Sequence, residues 1–268
     1  MLGPMAPART FTRYVALGDS STEGIDDPDG TGGYRGWADR FAERVAAANP
    51  GLLYANLAVR ARTAGEIEAT QLSPALAMRP DLATVVGGMN DLLRTNFDPV
   101  RVAGHVGTML RALADGGATV LTFTLPDVSR RMRLPRRFAA RAHALNVELR
   151  RCAAASGALL LDLANYELAA DPRLWSVDRL HGNAEGHARI ADEFAHLIGL
   201  PGAVVEPTTR LPPPPPRPRR DVVAEDVAWI VKFVMPWALR RLRGRTLGDG
   251  RSAKRPILTP IGDDARAR

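Results

Sequence analysis

Residues 13–198 alternate between short apolar runs and longer segments whose apolar positions recur at helical spacing. RYVAL, ending just before Gly18, is rich in strand formers. In GWADRFAERVAAA (36–48), Trp37, Phe41, Val45 and Ala48 fall on one helical face, and Asn49-Pro50-Gly51 ends the segment. LLYANLA (52–58) reads as a second strand. Residues 63–78 read as a helix interrupted at Pro74. LATVVGG (82–88) is apolar throughout, which predicts a strand buried on both faces. The pattern continues with a helix over 99–114, stopped by Asp115-Gly116-Gly117, and a strand over 118–125. A helix over 136–155 and a strand over 158–163 follow. The last helix runs over 183–198, with Asn183 as N-cap and Gly199 past its end.

Repeated strand–helix alternation predicts an α/β fold: a three-layer α/β/α sandwich around a five-stranded parallel sheet, with helices on both faces. No internal repeat is visible. Residues 10–200 form the predicted body. Beyond it the composition changes. Residues 206–220, containing LPPPPPRPRR, predict a polyproline spacer, and 221–268 form a basic, partly apolar C-terminal tail. Within the tail, 221–245 is an apolar segment with acids at its start and arginines at its end, which suits a helix dipole, and Pro236 should kink or break it. From Gly244 onward the polar sequence predicts loose chain.

Composition narrows the function. Hydrophobic residues make up 46% of the 268, enough for a full core. Cys152 is the single cysteine, which excludes an intrachain disulfide; it reads as a small buried helix residue, and no Cys/His spacing resembles a zinc site. No signal-peptide-like apolar run precedes the first strand and no stretch is apolar enough to span a membrane, so the expected location is cytoplasmic. The net charge of +7 lies entirely after position 200. A neutral body with a basic tail argues against nucleic-acid binding by the body, and the tail carries no recognisable nucleic-acid motif.

Four segments at predicted strand ends carry chemistry, where an open α/β sheet places its ligands. GDSSTEG (18–24) follows the first strand and exposes Ser20 on a turn. NLAVRARTAGE (56–66) follows the second and offers a backbone N–H near Ala61. GGMND (87–91) follows the third and presents the Asn90 amide. DRLH (178–181) precedes the last helix, and a tight turn there lets Asp178 reach one ring nitrogen of His181. Each segment alone is ordinary turn or cap chemistry. Together, in this order, they match what acyl transfer needs: a nucleophile, a base oriented by an acid, and oxyanion donors.

This set resembles the SGNH hydrolases, also called GDSL-type lipases and esterases, over most of residues 13–198. Ser20 matches the serine of the family's GDS motif. Gly88, Met89, Asn90 and Asp91 match its GxND block, and Asp178 and His181 its DxxH block. The resemblance implies an SGNH/flavodoxin-like sandwich and a serine ester hydrolase with the triad Ser20, Asp178 and His181. It implies an oxyanion hole from the Ser20 N–H, the Ala61 N–H and the Asn90 side chain. It calls for no metal or organic cofactor, and its substrate is a small-molecule ester. Ala61 departs from the family pattern, which has glycine there; an alanine held at positive φ costs roughly 1 kcal/mol. Thioesterase, lipase or phospholipase, sugar deacetylase and acyltransferase chemistry share this machinery, and a binding protein on a retired hydrolase fold is the reading of a different class.

The other histidines, His105, His143, His187 and His196, are assigned to packing or surface, and Asp19 and Asp91 to bracing their loops. The basic stretch 129–141 reads first as a solvated helix start and second as an electropositive rim for anionic substrates. The tail around Val227–Leu239 has three readings: a cover for an apolar patch of the body, which is preferred, weak contact with a membrane surface, or pairing with another chain.

Overall fold

The computed structural model describes residues 10–126, 136–203 and 218–261. Its sheet contains β1 (Arg13–Leu17), β2 (Leu53–Asn56), β3 (Leu82–Val85), β4 (Thr119–Phe123), β5 (Leu159–Leu161) and β6 (Arg255–Pro260), in the spatial order β5-β4-β3-β1-β2-β6. The first five are parallel, as the strand–helix alternation predicts. Strand β1 is central. The chain leaves it toward β2 and returns to β3 on its other side, so the strand order reverses beside β1. That reversal opens a crevice at the carboxyl ends of β1 and β3.

Period-two alternation along the strands feeds two cores. Val15 and Leu17 of β1, with Ala83 and Val85 of β3, pack toward α3 (Ala64–Ala77), α4 (Pro99–Asp115) and α5 (Arg136–Ser156). Tyr14 and Ala16 face the opposite way, toward Trp37, Phe41 and Val45 of α2 (Gly36–Ala48) and Phe194 of α6 (Ala184–Leu197). Here Tyr14 stacks on Tyr54 with centroids 4.9 Å apart, and Trp37 meets Phe194 edge to face at 5.3 Å. A short helix α1 (Ser20–Glu23) follows β1 directly.

Three expectations are corrected. The sheet has six strands, not five: the sixth, β6, comes from the tail and pairs antiparallel with the β2 edge. Residues beyond Gly244 are therefore not all loose. Lys254, just before β6, donates to the carbonyls of Tyr34 and Arg35 (2.9 and 2.8 Å) and to the Asp39 carboxylate (2.9 Å), tying the strand to the start of α2. Pro74 does not interrupt its helix; α3 runs through it. Pro74 and Thr70, the residue whose carbonyl loses its amide partner, both lie on the exposed side of the helix.

The tail helix is interrupted, but not at Pro236 itself. It runs as α7 (Arg219–Trp229), a π-helical turn over Ile230–Val234, and α8 (Met235–Leu242). Pro236 has no N–H for the Lys232 carbonyl and its ring crowds that carbonyl, and the wider turn just before it accommodates both. Cys152 is half-buried rather than fully buried, with its Sγ 3.4 Å from the Ala103 carbonyl. Most of the proline spacer lies outside the described residues.

Candidate active site

Strand β1 hands the chain to Ser20 through a crowded turn. A Cβ at Gly18 would sit 2.1 Å from Thr22 Oγ1 and 3.0 Å from the Val86 carbonyl, so only glycine fits. The buried Gln71 side chain from α3 accepts from the Gly18 N–H (2.8 Å) and donates to its carbonyl (2.9 Å). Gln71 thus satisfies the Gly18 N–H and shares its carbonyl with the Val59 N–H at 3.3 Å. Asp19 caps α1 by accepting from the Ser21 N–H at 3.1 Å. Ser20 is thereby held as the first residue of that helix.

The DRLH segment brings its two functional groups to the same place. Asp178 Oδ1 accepts from the N–H groups of Leu180 (2.9 Å) and His181 (3.0 Å), and Oδ2 lies 2.6 Å from His181 Nδ1. His181 Nε2 lies 2.7 Å from Ser20 Oγ. Serine, imidazole and carboxylate thus form one continuous hydrogen-bonded line across 161 residues of sequence. Burial pushes the His181 imidazole down, but the Asp178 carboxylate outweighs it, with Asp26 and Asp19 adding to the effect, so the ring titrates above the ordinary histidine range. Burial likewise raises Asp178, and the contact with His181 overrides it, holding the carboxyl below the usual range.

The proposed oxyanion donors divide. No protein acceptor is seen for the N–H of Ser20 or of Ala61 among the described residues. The Asn90 amide, by contrast, donates to Asp19 Oδ2 and to the Arg62 carbonyl, both at 3.0 Å. Both its hydrogens are engaged at rest, so Asn90 reaches an oxyanion only by exchanging one of them. Asp19, buried and pushed up to about 6, is the partner that adjoins Ser20. Ala61 has φ +64, the left-handed conformation anticipated for a glycine site.

The bracing roles assigned to two aspartates hold: besides the Asp19 cap, Asp91 accepts from the Ala64 N–H at 2.9 Å and anchors the start of α3. His187 is buried and structural. Its Nδ1 accepts from the Trp37 N–H (3.1 Å) and its Nε2 donates to the Ile25 carbonyl (3.2 Å), and burial pushes it down to about 4, which keeps it neutral. Of the basic stretch 129–141, residues 129–135 lie outside the described residues. Arg141 is a staple: it donates to the carbonyls of Leu92 (2.7 Å) and Arg94 (2.9 Å), closing the loop after β3.

Sequence reasoning missed residues that hold the catalytic turn. The Ser176 hydroxyl donates to Asp26, whose carboxylate lies close to both Asp178 and His181. Arg179, between the two triad residues, has φ +63. The tail grips it there: Arg179 pairs with Asp226 of α7 (2.7 Å), its guanidinium lies 5.1 Å from the Trp229 ring centroid, and the Trp229 indole N–H donates to the Asp178 carbonyl at 2.7 Å. The helical part of the tail therefore meets the body through a polar clamp on the turn bearing Asp178 and His181, where an apolar cover was expected. No local signal marks this pairing, because the partners are 47 and 51 positions apart.

Beside Ser20 opens a cavity of about 120 Å³, lined on its apolar side by Phe123, Leu163, Leu168, Leu174, Trp175 and Ile190. Among the described residues, no helix is long and apolar enough to cross a membrane.

Residues 16–189 match the GDSL-like lipase/acylhydrolase family. The chain belongs to that family and is a carboxylic ester hydrolase. No curated protein matches it. Among solved structures it is similar to the psychrotrophic esterase EstA from Pseudoalteromonas sp. at 17% identity, covering 70% of this chain and 96% of that one, with a TM-score of 0.55. It is also similar to the acetylxylan esterase Axe2 from Geobacillus stearothermophilus at 15% identity, covering 75% and 100%, with a TM-score of 0.60. At these identities the likeness establishes the α/β sandwich.

Two outcomes follow. Ala61→Gly removes the left-handed strain at some cost in chain entropy, so it should stabilise the protein by up to about 1 kcal/mol in urea unfolding, with ester turnover retained. Trp229→Phe keeps the ring under Arg179 but deletes the N–H held by the Asp178 carbonyl; kcat should fall about 3- to 10-fold with KM unchanged. An unchanged kcat would show that this bond does not position the triad.

Proposed function

We propose that the protein hydrolyses carboxylic esters through an acyl-enzyme on Ser20. The observation that carries this reading is the unbroken line from Ser20 Oγ through His181 to Asp178 at 2.7 and 2.6 Å. As Ser20 attacks the ester carbonyl, His181 Nε2 takes its proton. Asp178 holds the Nδ1–H and stabilises the imidazolium. The oxyanion is received by the N–H groups of Ser20 and Ala61, and by Asn90 once one of its resting hydrogen bonds is exchanged. His181 protonates the departing alcohol, the acyl group remains on Ser20, and water attacks it with His181 again as base.

The cavity supports an apolar acyl group. Phe123, Leu163, Leu174 and Ile190 give the space beside Ser20 a mainly apolar wall, with Arg189 and Glu193 also on its lining. A volume of about 120 Å³ suits a short to medium acyl chain better than a long one. Acyl transfer in place of hydrolysis needs only a different acceptor in the same cycle.

The test is hydrolysis of a p-nitrophenyl ester series, acetate to palmitate, across pH. Turnover should peak at intermediate chain length and be lost in Ser20→Ala. Because the base must be neutral and its pKa is raised, kcat/KM should fall with decreasing pH along a limb centred above about 6.5. Asp178→Asn should move that limb down and lower kcat by orders of magnitude. Substantial turnover in folded Ser20→Ala would contradict the mechanism.

A further inference from the structure

The helical segment from Arg219 to Leu242 presents two different faces. Val222, Asp226, Trp229 and Phe233, spaced four, three and four apart, are its less exposed positions, and Asp226 and Trp229 hold the catalytic turn. The other face carries Val223, Val227, Val231, Met235, Leu239 and Leu242, each at least half exposed. An apolar row of this length on an otherwise well-packed protein is not accounted for by the fold, since the two cores are already complete on both sides of the sheet.

The charges around that row identify what it meets. No acidic residue occurs from position 227 to 248, while Lys232, Arg243 and Arg245 in that span are exposed. The acids of the segment are confined to its first two turns, where Asp226 is turned to Arg179. From Val227 onward the aliphatic row is bordered by cations and free of anions, with the exposed acids Asp221 and Glu225 only at its start, and this stretch complements a layer with acyl chains below and phosphates above. Lys232 and Arg240 interrupt the apolar run, and no described helix is apolar enough to cross a bilayer, so the segment lies along a surface rather than through it.

We propose that the outer face of residues 219–242 docks on an anionic lipid surface. Docking places the bilayer against the helix that grips Arg179 and Asp178, and so beside the mouth of the ester site. The proposal rests on the exposed residues of the tail and not on the catalytic reading, and its test reads binding without turnover.

The experiment is sedimentation of the full chain with phosphatidylcholine vesicles and with vesicles containing phosphatidylglycerol. Wild type should pellet with the anionic vesicles and little with the neutral ones, and high salt should release it. Changing Val227→Ser, Val231→Ser, Met235→Gln and Leu239→Ser together should weaken the anionic binding about tenfold or more. None of these four touches the triad, so hydrolysis of a water-soluble ester should match wild type and show that the variant is folded. A second variant, Arg243→Glu with Arg245→Glu, should lose binding without altering the apolar row. Three results overturn the proposal: wild type fails to sediment with anionic vesicles; wild type and the apolar variant sediment equally; or wild type self-associates in solution through the row, the variant stays monomeric, and neither binds lipid, in which case the face pairs copies of the chain.

Discussion

The end of β1 is the point on which the site depends. A parallel strand stops there, the chain must turn at once into a helix, and the turn is too crowded for any side chain at Gly18. Its N–H would be stranded in the interior without the Gln71 amide, which also donates to its carbonyl beside the Val59 N–H. With those groups satisfied, the next residues are fixed in order: Asp19 caps α1, and Ser20 opens toward the crevice where the strand order reverses. Loss of either glycine or glutamine would displace Ser20 without touching it.

Electrostatics then separates two histidines that the sequence places only six apart. His181 sits against Asp178, with Asp26 and Asp19 near by, and is held ready to accept a proton. His187 is just as buried but bonds a backbone N–H and a backbone carbonyl, with Asp27 too weak an influence to offset the burial, and it stays neutral. One imidazole carries a raised pKa and the other a lowered one, and the difference lies in whether a carboxylate is within hydrogen-bond distance of the ring.

Much of this was legible in the sequence because it is local. The five parallel strands are short, mostly apolar runs that alternate with helical segments, and Asp178 and His181 share one tight turn in which the carboxylate also caps its own backbone. The positive φ at Ala61 followed from a glycine pattern with an alanine in it. What stayed hidden depends on distant chain. RPILTP carries two prolines and little alternation, so β6 does not read as a strand; it forms because an edge strand tolerates proline and Lys254 anchors it. The grip of Asp226 and Trp229 on the catalytic turn crosses a proline spacer, and the engagement of both Asn90 hydrogens depends on Asp19 from one strand end and Arg62 from another.

The tail therefore belongs to the catalytic body in two places, as a sixth strand at one edge and as a clamp on the turn bearing Asp178 and His181. The central claim is that Ser20 is the nucleophile activated by His181. Its most direct test is covalent labelling by an aryl alkylphosphonate, read by intact mass and peptide mapping. The account predicts one phosphonyl adduct, on Ser20, formed far more slowly in His181→Ala. An adduct on any other residue, or none on a protein that still turns over esters, would contradict it.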